Sequence, residues 1–161
     1  MNTNKPLKRH RAIVSFSKEH HFGLLLVWKI RQGLKKAITP VRISDYVIFF
    51  FKEDLEEHFN EEERLLFSRL PVTDELRKHA ELDHLIIHTM INALEKRKSN
   101  TTLLNDFADL LEEHIRFEER ELFNHLQESI SAAELEEIEN RFSNNDKIIE
   151  KWEDTFWEHK N

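Results

Sequence analysis

Histidines and glutamates that recur one helical turn apart are the residues with the clearest chemical potential. The pattern His-x-x-x-Glu occurs twice and the pattern His-x-x-x-His once, in the pairs His58/Glu62, His114/Glu118 and His84/His88. Side chains four positions apart project from the same face of a helix, where one metal ion can contact both. The chain has ten histidines but a single tyrosine, so histidine is enriched over the other polar rings. Metal binding is the chemistry that this spacing favours.

Each of these residues lies in a helical row that is otherwise apolar. The row of His58 and Glu62, for example, also contains Phe51, Leu55 and Leu66. A carboxylate or an unpaired imidazole in an apolar row is costly unless it has a compensating partner. The inward residues from four helices compensate one another either as a hydrogen-bonded polar layer or as a two-metal site, and their joint pattern favours the metal site. We expect seven ligands: His20, His58, Glu62, His84, His88, His114 and Glu118.

The ligand types narrow the choice of metal. Imidazole binds zinc, copper, iron and nickel, while carboxylate favours harder cations. A mixed set with two glutamates able to bridge favours a pair of iron ions, although zinc or another divalent metal stays possible. A ferritin-like di-iron bundle would need two Glu-x-x-His motifs, and only Glu81 to His84 fits.

The elements that must position these residues are predicted to be helices. The chain has only two glycines and three prolines in 161 residues, so few residues favour turns, and we expect an all-α fold. Pro40, Pro71 and the polar stretch 96–102 divide the chain into four helical patterns of about 25 residues. Ser44 is a candidate N-cap for the second helix, and Thr73 with Asp74 can start the third. Short connections make neighbouring helices antiparallel, which predicts an up-and-down antiparallel four-helix bundle over residues 11–130.

The two ends of the chain are predicted to lie outside this bundle. Residues 1–10 form a basic N-terminal tail. The sequence from Ser131 to Glu134 has the form of a capping box that opens a short helix, and an amphipathic segment from Asn145 carries Trp152, Phe156 and Trp157. We therefore expect a C-terminal extension over residues 131–161, with one or two short helices that pack on the bundle or contact a partner.

An internal repeat relates the second and fourth helices. At an offset of 56 residues, six of ten positions are identical between 58–67 and 114–123. Histidine and phenylalanine are among the identities, and these are not common filler residues of helices. The repeat indicates a duplicated two-helix hairpin.

Composition excludes several other classes of function. The formal net charge of −7 argues against a nucleic-acid-binding surface, and the absence of cysteine excludes disulfides, iron–sulfur clusters and thiolate zinc sites. The longest apolar runs are far shorter than the roughly 20 residues of a membrane span. The N-terminus has no apolar segment typical of a secretory signal, so we expect a cytoplasmic protein with no membrane association.

Taken in order along four successive helices, these motifs resemble the hemerythrin-like (HHE cation-binding) proteins, bacterial type, over about residues 10–130. The resemblance implies an up-and-down four-helix bundle around a non-haem, usually di-iron, centre that is bridged by two carboxylates and an oxo or hydroxo group. It implies Glu62 and Glu118 as the bridges and the five inward histidines as terminal ligands, namely His20, His58, His84, His88 and His114.

Some positions have neighbours that compete for the same role. His21 adjoins His20, but it lies on the next face of the first helix. Glu119 adjoins Glu118, and the oxygen carriers of the family place their acid at that later position, whereas symmetry with Glu62 selects Glu118. We expect His10, His79, His125 and His159 to lie outside the site.

The resemblance also implies a function. A di-iron centre of this kind binds dioxygen, or nitric oxide in its place, for sensing, storage or scavenging, and it binds rather than turns over its ligand. The alternatives are a di-iron enzyme that reduces peroxide or oxidises ferrous iron, and a metal-free helical interaction protein. The expected partners are a small diatomic ligand and, through the C-terminal aromatic residues, a second copy or an unidentified protein.

Overall fold

The chain folds into an antiparallel bundle of four long helices with a fifth, short helix behind it. The computed structural model describes residues 8–142 and 152–158, and it has no strand in these two ranges. The helices are α1 (Arg11–Lys35), α2 (Pro40–Phe50, continued through Phe51–Leu55, Glu56–Glu61 and Glu62–Leu66), α3 (Glu75–Lys96), α4 (Thr101–Phe117, continued through Glu118–Leu122 and Phe123–Ser129) and α5 (Ala132–Arg141). Helix α1 packs against α2 and α4, and α3 packs against the same two helices. The predicted all-α four-helix bundle is therefore confirmed.

Local sequence signals set most of the helix ends. The Asp74 side chain accepts a hydrogen bond from the backbone N–H of Arg77 at 3.0 Å, which caps α3 as predicted. Ser131 and Glu134 form the predicted capping box at the start of α5.

The start of α2 differs from the prediction. Pro40 occupies its first turn, where a fixed φ and a missing N–H cost nothing, so the helix begins four residues before Ser44. Ser44 is buried inside the helix, and its hydroxyl donates to the carbonyl of Lys98 at 2.6 Å. The prediction of Ser44 as an N-cap was wrong because proline at the first helical position gave a stronger start signal.

The turn between α1 and α2 is tight and has a left-handed residue. Ala37 has a φ of 54°, a conformation that a side chain with a Cβ adopts at a cost. It allows the backbone N–H of Ile38 to reach back to the carbonyl of Gly33 at 2.9 Å. The turn satisfies carbonyls at the end of α1 and reverses the chain direction within a few residues.

The interior consists of two apolar clusters with a polar layer between them. One cluster includes Leu26 of α1 and Phe107 of α4, and the other includes Phe16 of α1 and Phe123 of α4. Along each long helix, the buried histidines and glutamates lie at or next to the change from one cluster to the other. This layer holds most of the predicted metal ligands.

The described part of the C-terminal segment packs on the bundle beside the first cluster. The Phe156 side chain is fully buried and lies edge-on to Tyr46, with 5.8 Å between the ring centroids. Asp154 pairs with Arg42 at 2.6 Å, and the carbonyl of Trp157 accepts a hydrogen bond from Lys36 at 2.7 Å. The predicted amphipathic segment lies outside the described residues over 145–151 and 159–161. Among the helices in the described ranges, none is long and apolar enough to cross a membrane.

Candidate metal centre

Six of the seven predicted ligands meet in the buried layer. Each long helix contributes at least one of them, and none of the six side chains is more than 4% exposed. They form two groups of four possible donors, and within each group the donor atoms all lie within 4.8 Å of one another. The groups are His20, His58, Glu62 and Glu118, and His84, His114, Glu62 and Glu118. The bundle therefore holds two groups of possible metal donors, and the two groups share both glutamates.

The Nε2 atoms of the histidines face the two shared glutamates. His20 Nε2 lies 3.4 Å from Glu118 Oε1 and 3.8 Å from Glu62 Oε2. His58 Nε2 lies 3.4 Å from Glu62 Oε1. On the other side, His84 Nε2 is 3.3 Å from Glu62 Oε1, and His114 Nε2 is 2.7 Å from Glu118 Oε1. Each glutamate thus reaches histidines of both groups, as a bridging carboxylate would.

The buried polar atoms of this layer are a good fit for bound cations. All four carboxylate oxygens of Glu62 and Glu118 are buried without a hydrogen-bond partner, as are the Nε2 atoms of His20 and His58. Buried polar atoms in proteins are nearly always satisfied, and a concentration of unsatisfied ones calls for an ion or water. Imidazole nitrogens and carboxylate oxygens are ligands for first-row transition metals. The donor set therefore fits two metal ions.

The outward-facing Nδ1 atoms of the same histidines each have a carboxylate beside them. Glu119 lies 2.7 Å from His20 Nδ1, Glu19 lies 2.5 Å from His58 Nδ1, and Asp83 lies 2.9 Å from His114 Nδ1. The fourth carboxylate, that of Glu63, is 3.5 Å from His84 Nδ1. A carboxylate on Nδ1 keeps the proton there and leaves the Nε2 lone pair for a metal. The three carboxylates within 2.9 Å of an Nδ1 atom thus favour the tautomer that metal binding needs.

The carboxylates of the buried polar layer favour positive charge on the neighbouring histidines. Burial lowers the pKa of His58, but Glu62 and Glu19 outweigh it and raise that pKa to about 9. Burial likewise opposes the charged form of His114, whereas Glu118 and Asp83 raise its pKa to about 10. Without metal, the carboxylates therefore hold protons on the imidazoles, and a metal ion would take the place of those protons.

Two short π-helical turns shape the acidic part of the site. They span Glu62–Leu66 in α2 and Glu118–Leu122 in α4, and each begins at a glutamate that both donor groups share. A π-helical turn holds an extra residue, which brings neighbouring side chains closer in direction, and such turns are frequent at functional sites. Glu118 and Glu119 consequently both reach His20, one at each ring nitrogen.

The competing candidates lie in different places. The His21 side chain is exposed. Glu119 contacts His20 Nδ1 and not Nε2, which is the ring nitrogen that faces the shared glutamates. His88 is not a donor of either group, and its ring lies edge-on to Phe51 at a centroid distance of 4.9 Å. The structure therefore does not bring His88 into the centre, and its role as a ligand stays a prediction.

The remaining histidines lie outside both donor groups where they are described. His79 stacks on Phe117 with 3.9 Å between ring centroids, and His125 pairs with Asp74 at 2.6 Å. His10 caps the start of α1 by accepting a hydrogen bond from the N–H of Ala12. His159 lies outside the described residues.

The outer carboxylates have functional positions that the ligand motifs alone do not reveal. Each of them directly adjoins a ligand in the sequence, and each serves a histidine of another helix: Glu19, Glu63, Asp83 and Glu119. The signal present in the sequence is this adjacency, an acid before His20 and His84 and a second acid after Glu62 and Glu118. The partner histidine depends on helix packing and is visible only in the structure.

Fold and site together define a four-helix bundle with a buried histidine and glutamate cluster of the metal-binding type. The family model of the hemerythrin HHE cation-binding domain matches residues 9–126. The chain belongs to this family, which confirms the resemblance drawn from its motifs. Neither curated proteins nor solved structures give a significant match.

Proposed function

We propose that the protein holds a pair of iron ions and binds a diatomic gas, dioxygen or nitric oxide, at that pair. The observation that carries the proposal is the sharing of Glu62 and Glu118 between two groups of four buried donors. A glutamate that two cations share would balance charge for both ions. Four nitrogen donors and two shared carboxylates would leave coordination positions open for an external ligand.

The donor set favours iron over the alternatives. Thiolate ligands, which favour zinc and copper(I), are missing because the chain has no cysteine. The mixture of imidazole and carboxylate suits iron in both of its common oxidation states. Iron, when bound, would supply the electrons that pass reversibly to the gas.

A small cavity beside the centre supports binding of a small ligand. It is bordered by Glu19, His20, His58 and Glu118, and its other walls are the apolar residues Gly23, Leu55, Phe59, Leu111 and Ile115. The cavity adjoins the His20 and His58 half, while His84 and His114 do not line it. The apolar side of the cavity limits the access of bulk water, which favours retention of the gas over its reduction. This geometry is the reason to prefer binding to turnover.

Metal analysis and absorption spectroscopy test the proposal. Protein loaded anaerobically with ferrous iron should hold about two iron ions per chain, and exposure to oxygen should produce a near-ultraviolet and visible spectrum that reverses when the oxygen is removed. A protein that retains no iron would contradict the metal centre. Rapid bleaching with continued consumption of peroxide would contradict gas binding and favour an enzyme.

A further inference from the structure

The metal centre has an approximate two-fold symmetry that also relates its outer carboxylates. An offset of 64 residues relates Glu19 and His20 to Asp83 and His84, and the repeat at 56 residues relates Glu63 to Glu119. The His20 and His58 half is thereby equivalent to the His84 and His114 half. In each half, one histidine has its carboxylate within 2.9 Å, from Glu19 or from Asp83. The halves differ most in the carboxylate beside the second histidine, which is Glu119 for His20 and Glu63 for His84.

Glu119 is held firmly against its histidine. Its Oε1 accepts hydrogen bonds from His20 Nδ1 at 2.7 Å and from the Ser17 hydroxyl at 2.5 Å. The Arg9 guanidinium pairs with the other carboxylate oxygen and also donates to the backbone carbonyl of Glu119. Three separate donors thus fix the position of this carboxylate.

Glu63 lacks these contacts. Its side chain is 40% exposed and lies 3.5 Å from His84 Nδ1, which has no hydrogen-bond partner. The residue equivalent to Ser17 is Glu81, which pairs with Arg77 at 3.1 Å and carries the same charge as Glu63. His84 instead stacks on Phe59, with 4.0 Å between the ring centroids. Its imidazole is positioned by packing and not by a carboxylate hydrogen bond.

We propose that Glu119, held by Ser17 and Arg9, is a positioning residue that makes the His20 and His58 half the tighter metal position, which fills first. A charge-assisted hydrogen bond at Nδ1 orients the ring and strengthens Nε2 as a donor, and loss of such a partner weakens metal binding about 10–100-fold. The inference rests on the two-metal centre of the proposed function. It adds the order in which the two positions bind metal, and this order follows from the contact between Glu119 and His20.

Zinc titration of the metal-free protein against a chelator of known affinity tests this order. The wild type should bind zinc in two resolved steps. Glu119→Gln should weaken the first step about 10–100-fold, whereas Glu63→Gln, the equivalent change in the other half, should leave it unchanged. Ser17→Ala should weaken the first step in the same direction but less, and it keeps the Glu119 charge if Glu119→Gln lowers the yield of folded protein.

Nitrogen-15 NMR of labelled histidine identifies the half that fills. With one equivalent of zinc, the Nε2 signals of His20 and His58 should shift before those of His84 and His114, and Glu119→Gln should abolish that preference. Equal weakening by the two glutamine variants, or first shifts at His84 and His114, would overturn the proposed order while leaving the two-metal centre intact. A wild-type protein that binds no zinc would overturn both.

Discussion

Each histidine of the metal centre uses its two ring nitrogens in different ways. Nδ1 faces an outer carboxylate, while Nε2 faces the shared glutamates. A purely hydrogen-bonded polar layer would pair these inner atoms with donors, yet the four glutamate oxygens at the centre make no hydrogen bond of good geometry, even where His114 Nε2 approaches Glu118 Oε1 to 2.7 Å. The residue chemistry therefore favours a site that is completed by cations.

Substitution of single histidines should distinguish the metal ligands from the other histidines of the bundle. His114→Ala deletes a donor and removes the nearest imidazole from the buried Glu118, so the metal content should fall by about one ion per chain or more. His125→Ala is the control, because His125 pairs with Asp74 and is in neither donor group, and both ions should remain. The same measurement on His88→Ala tests the prediction that His88 is a ligand. Elemental analysis of the purified proteins measures both outcomes. Full metal content in His114→Ala would contradict the assignment of the site.

The metal-free protein should lose stability as the pH rises. The pKa of His58 is raised to about 9 in the folded chain, above its ordinary value of 6.5. Its contribution is thus complete below about pH 6.5 and is lost as the pH passes through 9, which corresponds to a loss on the order of 3 kcal/mol. Urea denaturation of chelator-treated protein between pH 6 and pH 10 measures this loss. The metal-loaded protein, whose imidazoles hold no proton at Nε2, serves as the control and should show little decline over that range.

Gly23 should control access to the cavity beside the centre. A Cβ at this position would lie 2.8 Å from Ile115 Cδ1, so an alanine would press the isoleucine against the cavity. Gly23→Ala should slow nitric oxide binding by the reduced protein about tenfold, equivalent to about 1.4 kcal/mol in the barrier, as measured by stopped-flow absorption.

Gly33→Ala is the control for this change. It creates a similar contact, 2.8 Å from both Ile43 and Phe156, but far from the cavity lining. It should lower stability without a change in the rate of gas binding. Equal rates for Gly23→Ala and the wild type would show that the gas enters elsewhere.

At the scale of elements, regular helical periodicity predicted which face of each helix is buried, but it did not predict the local distortions of the helices. The row that contains His58 and Glu62 places both inward, and the structure agrees. A period of 3.6 residues, however, separates neighbours by about 100° and so keeps Glu119 away from a histidine that Glu118 reaches. The π-helical turn removes that restriction. No residue type between Glu118 and Leu122 predicts the π-helical turn, because such turns depend on the packing around them.

The turn after α1 offers a direct test of element-level strain. Ala37 has a φ of 54°, which costs an alanine about 1–2 kcal/mol and a glycine almost nothing. Ala37→Gly should raise the free energy of unfolding by about 0.5–1 kcal/mol, because the greater freedom of glycine in the unfolded chain offsets part of the gain. Urea denaturation measures the change. Ala37→Val should have the opposite effect, and a stabilising valine would contradict the strained conformation.

At the scale of the whole molecule, the C-terminal segment stabilises the end of the bundle that lies away from the second apolar cluster. Sequence pattern predicted that its aromatic residues pack on the bundle, but not the partners that receive them. Gly33 is the clearest case, since its lack of a side chain makes room for the Phe156 ring. Sequence alone gives no reason to connect these two residues, which are more than 100 positions apart.

Loss of the Phe156 ring should therefore destabilise the whole bundle without emptying the metal centre. The side chain is fully buried in the first cluster, so Phe156→Ala should cost about 3–5 kcal/mol of unfolding free energy. Thermal melting together with elemental analysis measures both properties. Leu85→Ala is a suitable control because Leu85 is 62% exposed, and it should change neither. An unchanged melting temperature in Phe156→Ala would contradict the docking of this segment.

The use of Glu118 by both donor groups has a consequence for the timing of metal acquisition during synthesis. Neither group has its four donors until the ribosome has released the chain beyond residue 118, whereas four of the other five donors precede that residue by 34 positions or more. A nascent chain therefore carries unpaired histidines and acids but no complete donor group. We expect metal insertion to follow the docking of α4, so that ions enter a nearly finished bundle and not an emerging polypeptide.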